Sequence, residues 1–323
     1  MFKVEDPPIR QGHKHRVNQN ISEKVSHLWH CYKPGGGGYN SVMAMRNLPD
    51  IKEELELTYF DVSTPVSLIV KKLREKSIDS RFFYQREVPV NAIIGWREDK
   101  IVLKGPQLGR VEPDEKDAIE IIGAIQKSDV FLANSIKDPK YFEIYLDTSR
   151  KFNVPVYSVI TTSLEPDFVF EKVFTDPNTA IILNYDEIPY LFSESTEKMS
   201  EEEKINFAFD ALKRKIKSKI NLNKPTYITL GKNGVYYSKN ESITHIRLKP
   251  EYSEKVRDSI IKEGGNFNGA GDVFSAAVVA YDLATNAEAE ETALKASIAA
   301  IRHIGYKGEL SSDSFECTKY SIH

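Results

Sequence analysis

Gly264-Gly265-Asn266-Phe267-Asn268-Gly269-Ala270-Gly271-Asp272 runs without a break into Val273-Phe274-Ser275-Ala276-Ala277-Val278-Val279-Ala280. The second half is apolar and rich in good helix formers, which predicts a buried helix. Gly269, Ala270 and Gly271 then fall at its first turn. Backbone N–H groups there have no intrahelical partner, and the helix dipole is positive. With no bulky side chains in the way, a phosphate can approach those amides closely. Asp272 is a base placed where charge develops, the layout of a phosphoryl-transfer site. The same run also reads as a tight turn in which Asp272 only caps the helix.

The chain has 323 residues, long enough for a substantial core and for either one large domain or a domain with an appendage. Lys+Arg number 44 against 47 Asp+Glu, a net charge of −3. That balance gives no basic excess for a nucleic-acid partner. No apolar stretch approaches the length needed to span a membrane, and the opening residues Met1 to Pro8 lack the pattern of a signal peptide. The only cysteines, Cys31 and Cys317, imply no disulfide framework. A soluble, cytoplasmic protein is expected.

From Leu57 onward the signals alternate. Strands are expected at Leu57-Phe60, Ser128-Ala133, Val154-Ile160, Ala180-Asn184 and Pro225-Leu230. Helices are expected at Val66-Lys76, Tyr141-Phe152 and Glu201 to about Ile220. Ser200-Glu201-Glu202-Glu203-Lys204 reads as the solvated first turn of the last of these. This order predicts an α/β fold, a mostly parallel sheet covered on both faces. The last third is expected to be helical, at Asp272-Ala284 and Glu288-Ile304. Two regions break the alternation, one from about Arg10 to Lys33 and one from Arg81 to Leu103, the latter turning at Arg97-Glu98-Asp99. They are read as strands of a small accessory sheet.

Three further segments bear on chemistry. Gly35-Gly36-Gly37-Gly38-Tyr39-Asn40 precedes a helical run, Ser41 to Asn47. Its glycines can wrap a small polar ligand, and Asn40 offers a donor and an acceptor; a flexible linker is the other reading. It is not a P-loop, since no Gly-Lys-Ser/Thr ends it. Asn184-Tyr185-Asp186-Glu187 ends a buried strand, where ligands of open α/β sheets bind. Asn184 and Glu187 suit a hydrated Mg²⁺, or Asn184 or Asp186 caps the next helix. Thr229-Leu230-Gly231-Lys232-Asn233-Gly234 reads as a close approach to a nucleotide or as an ordinary hairpin turn. His13, His15, His27, His30 and Cys31 match the spacing of no standard zinc site.

In this order the four segments resemble the ribokinase-like (PfkB) family of carbohydrate and nucleoside kinases, from about Gly35 to Gly308. Gly35, Gly36, Gly38 and Asn40 meet its Gly-Gly-x-Gly-x-Asn signature. Asn184 and Glu187 meet Asn-x-x-Glu, Thr229 to Gly234 meet Thr-Leu-Gly-x-x-Gly, and Gly269 to Asp272 meet the end of the C-terminal signature. The resemblance implies a three-layer sandwich with residues 35–80 and 107–323 as the nucleotide-binding core and residues 9–34 and 81–106 as a β lid. It implies an ATP- and Mg²⁺-dependent kinase for a sugar, polyol or nucleoside. Asp272 is then the general base and the amides of Gly269, Ala270 and Gly271 the anion hole. Asn184 and Glu187 position Mg²⁺ through water. Thr229, Gly231, Gly234 and Ser297 serve the nucleotide; Gly35, Gly36, Gly37, Gly38 and Asn40 hold the acceptor. Homodimers through the apolar segment Val88-Trp96 are an expectation of the same kind.

The sequence departs from the family at Asn266 and Phe267, which replace an acidic residue and a threonine and bear on potassium activation. Gly37 stands in place of a lysine, and Ser297 in place of an asparagine. No opening strand with a substrate aspartate is recognisable; Asp6, Asn18 and Asn20 are candidates. Ribose is therefore not the expected acceptor. The alternative function is a ribokinase-like fold that binds a small metabolite without catalysis.

Overall fold

The computed structural model describes residues 14–16, 37–51, 55–63, 67–86, 92–96, 99–104, 113–136, 138–160, 164–192, 199–263, 269–285 and 288–322. In chain order the strands are β1 (Lys14–Arg16), β2 (Thr58–Ser63), β3 (Asp79–Arg86), β4 (Ala92–Trp96), β5 (Asp99–Lys104), β6 (Phe131–Asn134), β7 (Val156–Val159), β8 (Thr179–Asn184), β9 (Thr226–Thr229), β10 (Val235–Lys239), β11 (Ser242–Leu248) and β12 (Phe315–Ser321). The helices are α1 (Gly37–Asn47), α2 (Ser67–Glu75), α3 (Glu115–Ile125), α4 (Pro139–Phe152), the short α5 (Ile188–Leu191), α6 (Glu201–Lys217), α7 (Pro250–Glu263), α8 (Ala270–Thr285) and α9 (Ala289–His303).

A seven-stranded sheet in the order β12-β11-β10-β9-β8-β7-β6 forms the centre. β6 to β9 pair in parallel, and β10, β11 and β12 extend the sheet antiparallel. The strand period of two explains how both faces are covered. In β8, Ala180 and Ile182 pack with α8 and α9 residues such as Phe274, Val278 and Ala293. Ile181 and Leu183 point the other way, against Leu146 of α4 and Ala208 and Leu212 of α6. Full burial of each such Ile or Leu contributes about 1.5–3 kcal/mol, so both layers are held by the same strands. The end of the chain is not purely helical, because Ser242–Leu248 and Phe315–Ser321 form strands there.

Outside that sheet, β2 and β3 pair in parallel over a small core of Tyr39, Val42, Tyr59, Ile69, Leu73 and Ile78. β3 runs on to Arg86 in this pairing, past the point where the accessory region was expected to begin. β1, β5 and β4 form a separate three-stranded sheet. Of the expected turn Arg97-Glu98-Asp99, only Asp99 lies within the described residues, as the first residue of β5.

Local chemistry sets the helix ends. Ser200 accepts from Glu203 N–H while the Glu203 carboxylate accepts from Ser200 N–H, a reciprocal cap for α6. Pro139 opens α4, and Asn153 closes it in the left-handed region at φ 55°.

Lys215 breaks the pattern of α6 by facing inward. It is 7 % exposed, donates to Thr226 Oγ1, and burial pulls its pKa down to about 8. An unfolded lysine titrates near 10.4. Between those values the unfolded chain binds the extra proton, so stability rises with pH across the window. Below it the buried charge costs roughly 3 kcal/mol. Lys215→Met should therefore unfold at higher urea at pH 7 and flatten the rise in stability between about pH 8 and pH 10. A variant less stable at pH 7, or with the rise intact, would contradict this. Above about pH 10 the slope reverses, because burial raises the phenol pKa of Tyr157 and Tyr227 while unfolded tyrosines ionise.

Candidate functional site

The parallel strands β6, β8 and β9 end on one edge of the sheet, the usual ligand edge of such folds. Two clusters form along it. Asn134 and Asn184 terminate strands two places apart, which sets the clusters about 10 Å apart laterally.

The first cluster centres on Asp272. Helix α8 begins at Ala270, and Val273 N–H donates to the carbonyl of Gly269 at 2.9 Å. The amides of Ala270 and Gly271 thus lie in the first turn, without intrahelical acceptors. Gly269 holds φ +83°, which a glycine adopts without strain. Among the described residues nothing lies within 4 Å of a Cβ added at Gly271, so none of them crowds that side of the turn. Asp272 does not act as a cap in this geometry. Its Oδ2 accepts from Asn40 Nδ2 at 2.8 Å, and its Oδ1 accepts from Asn134 Nδ2 at 3.2 Å. Ser41 Oγ donates to the Asp272 carbonyl at 3.2 Å and accepts from Asn134 Nδ2 at 2.7 Å. Asp272 of α8 is therefore fixed by residues from two other elements, α1 and β6.

Gly37 and Gly38 are not loop residues but the first turn of α1. The reason is contact. A Cβ on Gly37 would run into Ser135 Oγ and lie 2.6 Å from Asn134 Oδ1. Ser135 itself takes φ +59°, a costly backbone state for a serine, and donates to Asn134 Oδ1 at 3.0 Å. Gly35, Gly36, Asn266 and Phe267, the candidates Asp6, Asn18 and Asn20, and the side chains of His13, His15, His27, His30 and Cys31 lie outside the described residues.

The second cluster joins β8 to β9, where Asn184 and Thr229 are register partners. Asn184 Nδ2 donates to Thr229 Oγ1 at 3.4 Å, and Thr229 Oγ1 donates to the Leu183 carbonyl at 3.3 Å. Glu187 Oε2 accepts from Asn184 N–H at 3.0 Å, and Asn184 Oδ1 accepts from Asp186 N–H at 2.9 Å. Asn184 thus shapes this turn while remaining at the strand end. The N-terminus of α6 ties down both adjacent turns. Lys204 pairs with Asp186 at 2.7 Å, and Glu201 accepts from Lys232 and Asn233 at 3.0 Å each. Tyr185 lies 4.0 Å from a Cβ added at Gly231, and burial pushes its phenol up to about 12. Ser297 of α9 spends its hydroxyl on the Ala293 carbonyl at 2.8 Å.

Glu187 and Asn184 offer one carboxylate and one amide oxygen. No group of three His, Cys, Asp or Glu gathers among the described residues. That donor set fits a hard cation that keeps most of its water, as Mg²⁺ does, and not an ion needing a protein cage.

Two neighbours of Asp272 were not singled out from the sequence. Asn134 carried the same signal as Asn184, a polar residue at the carboxyl end of a buried strand. His303, at the end of α9, has Nε2 3.4 Å from a Cβ added at Gly269; nothing local in sequence marks it.

No family model matches the sequence, and no curated protein does. Solved structures do match in fold. An adenosine kinase from Schistosoma mansoni in complex with 2-fluoroadenosine is 14 % identical over 94 % of this chain and 91 % of that one, with a TM-score of 0.65. Arabidopsis thaliana ribokinase complexed with ribose and ATP is 15 % identical over 87 % and 83 %, TM-score 0.59. Phosphofructokinase-2 from Escherichia coli, in complex with fructose-6-phosphate, is 13 % identical over 90 % and 89 %, TM-score 0.56. The chain has the ribokinase-like α/β fold.

Proposed function

We propose that this protein is an ATP-dependent kinase of the ribokinase-like family, transferring the γ-phosphoryl group to a hydroxyl of a small sugar, polyol or nucleoside. The observation that carries this reading is the Asp272 carboxylate, held at both oxygens by Asn40 and Asn134 in the first turn of α8. Asp272 takes the proton from the acceptor hydroxyl as the bond to phosphorus forms. The amides of Gly269, Ala270 and Gly271 receive the charge on the transferring group. The nucleotide lies along the strand ends toward Asn184, Thr229 and Gly231. Asn184 and Glu187 would hold Mg²⁺ through water, and the ion would neutralise phosphate charge. The sheet of β1, β4 and β5 is the proposed lid. β4 stands at an edge of that sheet, where a second copy would pair.

Asn134→Asp replaces the amide that donates to Asp272 Oδ1 by a carboxylate, which cannot donate. It should lower kcat/KM by about ten-fold or more, because the proposed base loses one of the two groups that orient it. An unchanged kcat/KM would remove Asn134 from the mechanism.

ADP release with Mg-ATP across pentoses, hexoses, inositols and nucleosides tests the reading. Release dependent on one acceptor class supports the kinase and names its substrate. ATP binding without release for any acceptor favours the non-catalytic alternative.

A further inference from the structure

A second site lies away from Asp272, on the opposite face of the sheet. A cavity of about 290 Å³ opens between α6, the π-helical turn Val169–Phe174, α5 and strands β8 and β9. Its walls are apolar: Phe170, Phe174, Leu183, Ile188, Phe192 and Ile228. Lys215 and Thr226 form its polar end, and the exposed Arg214 and Ser218 mark its outer margin.

Lys215 is the anomaly. An ammonium carries three donors, yet its hydrogen bond among the described residues goes to Thr226 Oγ1 alone. Among the described residues no carboxylate lines the cavity, and none pairs with Lys215. Glu171, on the neighbouring turn, is exposed and not part of the lining. A buried cation without a counter-charge is costly and is normally paired. A methionine would fill the same place at no electrostatic cost, so packing alone does not account for a lysine.

We propose that this cavity binds a small apolar carboxylate, its anionic group on Lys215 and its tail among Phe170, Phe174 and Phe192. The volume holds roughly ten non-hydrogen atoms at core packing density, the size of a medium-chain fatty acid. Charge complementarity selects the anion, and the aromatic walls select the tail. Leu183 and Ile228 immediately precede Asn184 and Thr229, so the occupant sits directly behind the strand ends of the second cluster. The site stands whether or not the chain is a kinase.

Titration calorimetry on the full chain tests this, with octanoate as probe and octanol as its neutral counterpart. Octanoate should bind saturably at one site and at least ten-fold more tightly than octanol. Lys215→Met, whose folding is checked by its thermal transition, should lose at least ten-fold in octanoate affinity and keep its octanol affinity. Ala211→Phe, which fills the cavity from α6 one turn before Lys215, should lose both ligands. Absence of saturable octanoate binding would overturn the proposal. So would equal affinity for octanol, or octanoate binding unchanged in either variant.

Discussion

Asp272→Ala should lower kcat by about a thousand-fold or more while leaving ATP affinity within a few-fold. General-base catalysis is worth about 10²–10⁴ in rate. The proposed base is also the hub of the network with Asn40 and Asn134. Removing it leaves Asn40 and Asn134 without the carboxylate they share. Asp272→Asn keeps the shape but cannot take a proton, so the two variants should fail alike. Nucleotide affinity should survive, because the proposed nucleotide contacts lie on β8 and β9, about 10 Å away across the sheet. Turnover within ten-fold of the native chain in either variant would assign the proton to another group.

Gly234→Ala should destabilise the fold by about 4 kcal/mol or more, a loss of the size reserved for backbone conflicts. Gly234 has φ 92° and ψ −135°, a region essentially closed to residues with a Cβ. The added methyl would drive into the carbonyl oxygen of Ile246 and lie 2.9 Å from Arg247 Cα. That neighbour is the backbone of β11 and cannot swing aside like a side chain. Gly231→Ala is the control. Gly231 has φ +60°, and among the described residues its Cβ would meet only Tyr185 at 4.0 Å, so its cost is about 1–2 kcal/mol. Urea unfolding of both variants measures the contrast. Equal losses would mean that the turn between β9 and β10 relaxes freely.

That contrast also shows what the sequence could convey. The Gly-x-x-Gly spacing marked a place where backbone must come close to something. At Gly234 the close partner is the chain's own β11. Local sequence does not reveal that, because Ile246 is a distant residue. The continuous apolar run Ala180–Leu183, buried on both faces, and the helical pattern of Glu201–Lys217 were legible, since each is decided within a few residues. β12 was not: only Phe315 is buried, and most of the strand beyond it is exposed, so no apolar alternation announces it. Of the candidate cluster around Asp272, the sequence pointed to Asp272 and Asn40, each beside a glycine run. Asn134, Ser135 and His303 became visible only once β6, α1 and α9 were brought together in space.

The most direct measurement follows γ-labelled phosphate from ATP in a single turnover, with native chain and Asp272→Asn side by side and the acceptor found by the ADP screen. Direct in-line transfer predicts label on the small-molecule acceptor with the native chain, none retained on protein, and none transferred by the variant. Label reaching the acceptor equally with the variant, or first appearing on the protein, would contradict the assignment of Asp272 as the base of a kinase.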